Sequence, residues 1–218
     1  MRKRIFIGFM LVSGAVALHG QIIGGMGIKG GISLANQSHQ FTPLDFTIET
    51  KPIEAPAVTL FVEFFSGRNL GYQLDLSYVT KGSKSTTQSI TVNHLDENRI
   101  VVNQGDLTIS KFSYLVVSPL VRYRFDLSPL TPYLMLGPRM DYLLNYETES
   151  AFPLEDQNQF ILGLNIGAGA EFNLGKLGVF LEVQYQPDLS PVTNREPLLI
   201  NNDVILFYLG IRYKSASL

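Results

Sequence analysis

Ten charged residues of this 218-residue chain share one parity of segments that otherwise alternate between apolar and polar: Lys29, Glu63, Asp75, Arg122, Arg124, Arg139, Asp141, Glu171, Glu182 and Arg212. Five are cations and five are anions, so the set is close to neutral. Charges gathered on one shielded face can do two kinds of work. They can line a path for ions, or they can pair across a narrow interior and fill it. Buried charges are tolerable only when paired and hydrogen-bonded, and eight strands enclose an interior just wide enough for side chains to fill. A structural ion-pair network that plugs the interior is therefore expected, with Arg122 and Arg139 finding partners among Glu171, Glu182, Asp75 and Glu63. Gly163, Gly167 and Gly169 share a face and leave room for long side chains opposite, such as the arginines.

Other chemistry has less support. A Ser/His/acid arrangement of the kind that cuts or transfers acyl chains needs three groups within hydrogen-bond reach. His39 and His94 lie in connections, and no Ser-containing motif stands near an outward-facing His, so catalytic residues are not expected. Glu147, Glu149, Glu155 and Asp156 lack the regular ligand spacing of a dedicated Ca²⁺ or Mg²⁺ site, and a solvated acidic loop is expected there. The glycines do not form a nucleotide-binding pattern between a strand and a helix. No metal or cofactor is expected.

The elements that carry the charged set read as eight strands: Met26–Ala35, Ala57–Ser66, Leu70–Lys81, Lys111–Phe125, Pro132–Tyr146, Gln159–Phe172, Gly178–Gln186 and Val204–Lys214. In the seventh, Val179, Leu181, Val183 and Tyr185 form an apolar face, while Phe180, Glu182, Gln184 and Gln186 form the other. The same holds for outward sets such as Leu60 and Val62, Leu74 and Leu76, Leu134 and Leu136, Leu162, Leu164 and Ile166, and Phe207, Leu209 and Ile211, none of them charged. Each unpaired N–H or C=O in hydrocarbon costs several kcal/mol, so a sheet with a lipid-facing side must close on itself. The expected fold is all-β: one closed, antiparallel, eight-stranded transmembrane β-barrel.

Two further patterns agree. Connections alternate between long (36–56, 82–110, 147–158, 187–203) and short (67–69, 126–131, 173–177), as they do in outer-membrane barrels, whose short turns and termini face the periplasm. Tyr72, Phe125, Phe172 and Tyr213 fall toward the short-turn rim and Tyr78, Tyr142, Tyr185 and Phe207 toward the other, in the manner of interfacial aromatic girdles. The 82–110 connection contains alternating segments of its own, Ser89–Val92 and Arg99–Val102, and is expected to form a hairpin above the membrane.

Arg2-Lys3-Arg4 followed by the apolar run Ile5–Leu18 reads as a secretory signal peptide over residues 1–20, with cleavage after Gly20 preferred to cleavage after Ala17. The barrel domain would then occupy 21–218. Loss of the three signal cations takes the formal charge from −2 to −5, which leaves no basic surface for phosphates and argues against a nucleic-acid partner. With no cysteine in the chain, neither disulfides nor an N-terminal lipid anchor can stabilise it. Outer-membrane lipid and the barrel assembly machinery are the expected partners. That machinery often reads a terminal aromatic residue, whereas here Tyr213 is followed by Lys214-Ser215-Ala216-Ser217-Leu218, so the insertion signal is expected to be internal.

The strings GIKGGISLAN at 27–36, SYLVVSPLVRYRF at 113–125, PYLMLGPRMDYLL at 132–144 and LGLNIGAGAEF at 162–172 resemble the PorT-like outer-membrane β-barrel family common in Bacteroidetes. The likeness runs over nearly the whole mature chain and is most specific at Lys29-Gly30-Gly31 and from Pro132-Tyr133 to Gly137-Pro138. It implies an eight-stranded outer-membrane barrel. Because the family takes its name from a protein needed for export through the type IX system, it also implies possible secretion-system partners. A non-enzymatic structural or secretion-associated role is the expectation, with a small ion channel or a lipid A-modifying enzyme as the alternatives.

Overall fold

The computed structural model describes residues 23–41, 46–49, 51–65, 67, 69–92, 100–127, 129–148, 157–192 and 198–215. Residues 1–22, which include the expected signal peptide, lie outside them, as do His94, Glu149, Glu155, Asp156 and residues 216–218. The strands are β1 (Ile23–Phe41), β2 (Phe46–Glu49), β3 (Lys51–Phe64), β4 (Leu70–Val92), β5 (Ile100–Arg124), β6 (Leu130–Thr148), β7 (Phe160–Leu174), β8 (Leu177–Pro187) and β9 (Leu198–Lys214). From β3 to β9 each pairs antiparallel with the next, and β1 closes the circle between β3 and β9, pairing with β9 from Gly25↔Lys214 to Phe41↔Leu198. β2 and β3 follow one another along the same edge of β1, from Phe41↔Phe46 to Ile23↔Phe64. The wall is therefore a closed eight-stranded barrel whose second strand is divided.

Alternation decides the faces. β8 reads exposed, buried, exposed, buried through Gln186, and outward residues such as Leu60, Leu136, Leu162 and Leu209 are more than half exposed. An apolar face that protein does not cover is stable only against lipid. Both aromatic sets point outward at their rims. The short β7–β8 turn is a two-residue hairpin closing Leu174↔Leu177. Gly175 leads it at φ 68°, the backbone that glycine adopts without a Cβ penalty.

The strands run further than the sequence reading placed them. The stretch 36–56 is not a simple loop, since β1 continues to Phe41 and β2 and β3 return beside it. Within 82–110, β4 and β5 pair on from Gly82↔Lys111 to Val92↔Ile100, which makes the hairpin continuous with the wall. The physical reason is that the expected strand ends followed the apolar face, whereas backbone pairing does not need lipid. Tyr185 and Asp203 mark the change: the tyrosine hydroxyl donates to the Asp203 carboxylate at 3.0 Å on the outer face. Beyond them outward positions become polar while pairing continues to Leu198 on β9. Lys111, on the outward parity of β5, is exposed in this same upper zone.

Candidate functional site

All ten charged residues of the sequence set are buried inside the barrel, none more than 6 % exposed. They form three layers, named here from the short-turn end upward. In the lower layer Glu63 of β3 receives three arginines: Arg124 in a close ion pair, Arg212 Nη1 at 2.6 Å and Arg122 Nη1 at 3.9 Å. Arg212 reaches on to Glu171 at 3.0 Å, and Lys214 approaches the same carboxylate at 3.4 Å. Gly71, with no side chain, leaves space beside the Glu63 carboxylate and the Arg124 guanidinium.

The middle layer draws on five strands. Lys29 Nζ on β1 donates to Asp75 Oδ2 of β4 at 2.7 Å and to Glu182 Oε1 of β8 at 2.5 Å. The other Glu182 oxygen accepts from the Tyr133 hydroxyl of β6 at 2.8 Å and from Arg122 Nη2 of β5 at 3.3 Å. The Arg122 guanidinium also stacks 3.9 Å from the Tyr133 ring centroid, where the ring quadrupole favours a cation. Arg122 thereby joins the lower and middle layers. Phe61, Leu120, Met135 and Phe180 cluster with Tyr133 around these groups and exclude water, which strengthens each pair and raises the cost of breaking one.

The upper layer departs from expectation. Arg139 pairs with none of the four carboxylates proposed for it. Its Nε lies 3.3 Å from Asp141, its Nη2 forms a close ion pair with Asp188, and its Nη1 donates to the Gln186 side chain at 3.0 Å. Arg122 faces Met135 in the ladder, and four residues further along β6 is a rise of about 13 Å, which puts Arg139 a full layer above Arg122. The glycines need a similar correction. Gly163 does make room for Arg139, but Gly167 faces Met135 and Gln184, and Gly169 faces the Tyr133 ring.

Two charged members of this layer were absent from the sequence set. Lys81, fully buried, donates to Asp141 at 2.5 Å and to Asp188 at 3.3 Å. Both fall on the inward parity of their segments, Lys81 after Asp75, Ser77 and Val79, and Asp188 after Glu182, Gln184 and Gln186; extending the alternation past the apolar band would have found them. With them the interior holds six cations and six anions among the described residues. Asp188 begins a segment folded against the top of β7: Leu189 N donates to Leu162 O at 2.8 Å, and Asn158 N donates to Val192 O at 2.8 Å. Val192 is fully buried in an apolar cluster with Phe112, Tyr114 and Val204. The barrel interior is thus filled by paired side chains through its three layers, and the segment after β8 continues along the edge of β7.

Among the described residues no cluster of three or more His, Cys, Asp or Glu is placed to hold a metal ion. Of the four acidic residues expected in the third loop only Glu147 is described; it lies instead on β6 opposite Lys111, exposed, and accepts from Asn145 Nδ2 at 3.1 Å.

A closed antiparallel barrel with an apolar outer band and a charged interior defines a transmembrane β-barrel of the outer-membrane type. Residues 25–194 match the family described as outer membrane protein beta-barrel domain, and the chain belongs to that family. Its place is the outer membrane. Solved structures similar to it include Neisserial surface protein A, at 12 % identity and a TM-score of 0.47, covering 86 % of this chain and 96 % of that one. The outer membrane protein AlkL, solved in lipid bilayers, is similar at 16 % identity and a TM-score of 0.47, over 92 % and 95 %. The N-terminal barrel domain of Pseudomonas aeruginosa OprF is similar at 12 % identity and a TM-score of 0.40, over 87 % and 98 %. Among curated protein sequences none matches the chain.

Proposed function

We propose that this barrel is a non-conducting, non-enzymatic outer-membrane scaffold, structural or secretion-associated, that works through its upper extensions and its wall. The observation that carries the reading is the interior: twelve paired charges in three layers, interleaved with apolar clusters, fill the space an ion or substrate would need. A neutral interior of mutually paired charges serves stability better than transport, because a permeating ion would have to displace partners already held in ion pairs. Chemistry at the rim lacks support as well, since no nucleophile–base pair emerges from the sequence. A rigid barrel that presents long extensions on one side suits binding, which loops on rigid scaffolds usually perform.

Within this class the PorT-like resemblance favours a part in protein export through the type IX system, with secretion components as partners. Planar-bilayer recording tests the closed interior: the purified protein is expected to give no steady conductance, and an ion-selective current would replace the scaffold reading with a channel. A clean deletion followed by comparison of the secreted proteome tests the role. Loss of many exported proteins is expected. An unchanged secretome with altered lipid A acylation would overturn the reading in favour of an enzyme.

A further inference from the structure

Pro119 of β5 and Pro138 of β6 stand directly opposite one another in the spanning part of the wall. The β5–β6 ladder pairs Val117↔Met140 above them and Val121↔Leu136 below, with no ladder pair between. The phase of this ladder is set at its lower end, where Phe125 N donates to Pro132 O at 2.9 Å. Bonded positions in an antiparallel pair recur at every second residue. Counting up by two, Tyr123 with Leu134, Val121 with Leu136 and Pro119 with Pro138 are bonded positions. At the last of these each residue should donate to the other, and neither has an N–H.

Two ladder hydrogen bonds are therefore missing at one point. Proline is ordinarily confined to sheet edges, but a closed barrel has no edge, and at this depth no water replaces the lost donors. The stretch without ladder bonds covers about 13 Å of wall. Flanking seams are continuous at the same level: β4–β5 pairs without a break from Leu70↔Tyr123 to Thr86↔Leu107, and β6–β7 from Leu130↔Phe172 to Tyr142↔Phe160. Both proline side chains face outward. Behind them lie Gly137, where the Pro119 carbonyl takes the space a Cβ would need, and Ser118, whose buried hydroxyl has no hydrogen-bond partner among the described residues.

We propose that this paired-proline seam is a lateral gate, the place where the wall parts within the membrane and gives the lipid phase access to the interior at Ser118. The interior is cross-braced by charge networks above and below this level, whereas the β5–β6 seam lacks the ladder bonds that both flanking strand pairs keep at that depth.

The test uses the full mature barrel in lipid nanodiscs. Val117, Val121, Leu136 and Met140 donate across the seam, while Leu60 and Leu209 sit in the unbroken β1–β3 and β8–β9 ladders. Amide exchange at the first four is expected to be about tenfold faster, the change that one hydrogen bond's net contribution implies. Pro119→Val with Pro138→Val restores both donors and should abolish the difference. Equal protection in the native protein sinks the proposal even if the double variant fails to fold. A second readout separates a gate from local fraying: because the chain has no cysteine, Ser118→Cys can be probed with a long-chain alkyl maleimide carried in the bilayer. Labelling that disappears when the valines are added supports the gate, and an unreactive thiol overturns it.

Discussion

Lys29 and Glu182 are 153 positions apart in the chain and meet at 2.5 Å in the middle of the barrel, both side chains fully buried. Glu182 takes hydrogen bonds from Lys29, Tyr133, Gln184 and Arg122. Glu182→Gln would leave Lys29 with Asp75 alone and Arg122 with only the 3.9 Å approach to Glu63. A loss of about 3–5 kcal/mol is expected, as when one member of a buried pair is removed. Reversible urea unfolding in lipid vesicles measures it. Glu54→Gln, at an exposed position on β3, should change stability by less than about 0.5 kcal/mol in the same assay.

The lipid face predicts the opposite kind of sensitivity. Leu136 is 55 % exposed on the wall, between Val121 and Ile166 on the neighbouring strands, and Leu136→Arg should cost about 2–4 kcal/mol because the guanidinium would sit in hydrocarbon near mid-depth. Leu174 is 56 % exposed but lies in the β7–β8 turn, where an arginine reaches the interface and the cost falls to about 0–1 kcal/mol. Equal penalties in vesicle unfolding would contradict the assignment of the band.

How far the sequence carried depended on which force left a period in it. Lys29, Glu182 and Arg212 were legible because lipid on one side and a tight lumen on the other impose strict alternation, and a charge can occupy only one of those faces. The same logic reached the strand count and the closure. It failed for Lys81 and Asp188, which lie where the outer face turns polar and the contrast between parities fades. It failed for the partners of Arg139 because alternation gives a residue's face and not its height, which follows from register. The Pro119–Pro138 pairing was likewise hidden: each proline is visible in the chain, but their opposition depends on the β5–β6 register.

Glycines on the two faces should behave differently. A Cβ at Gly163 would come within 2.8 Å of Arg139 Nε and 2.7 Å of the Pro187 carbonyl, so Gly163→Ala must push Arg139 away from Asp141 and Asp188. A loss of about 1–3 kcal/mol is expected, as for other overpacked interiors. At Gly30, on the outer wall, a Cβ would meet nothing within 4 Å, so Gly30→Ala should be neutral or stabilise by up to about 1 kcal/mol through the lost freedom of the unfolded chain. Paired thermal-shift curves of the two variants against the native barrel test the contrast.

Asp188 links the charged interior to the segment that extends β8 along the edge of β7. Its Oδ1 faces Lys81 and Arg139, while its Oδ2 accepts from the Asn202 amide N–H at 3.1 Å and the Asn202 side chain at 2.8 Å. One carboxylate therefore holds the cations below and the strand beside it. Asp188→Asn keeps the size of the group but removes the charge that both cations share. Asp141 then remains as the anion for Lys81 and Arg139 together. The segment from Leu189 to Val192 should release first, because it is fixed chiefly by the backbone bonds to Leu162 and Asn158 and by burial of Val192. The expected result is faster amide exchange at Leu189 and Ser190 by about tenfold or more, with little change at Leu181 or Leu209 lower in the wall. Unchanged protection at Leu189 would mean that Val192 packing alone holds the segment, and the double variant Asp188→Asn with Val192→Ala would then be needed to release it.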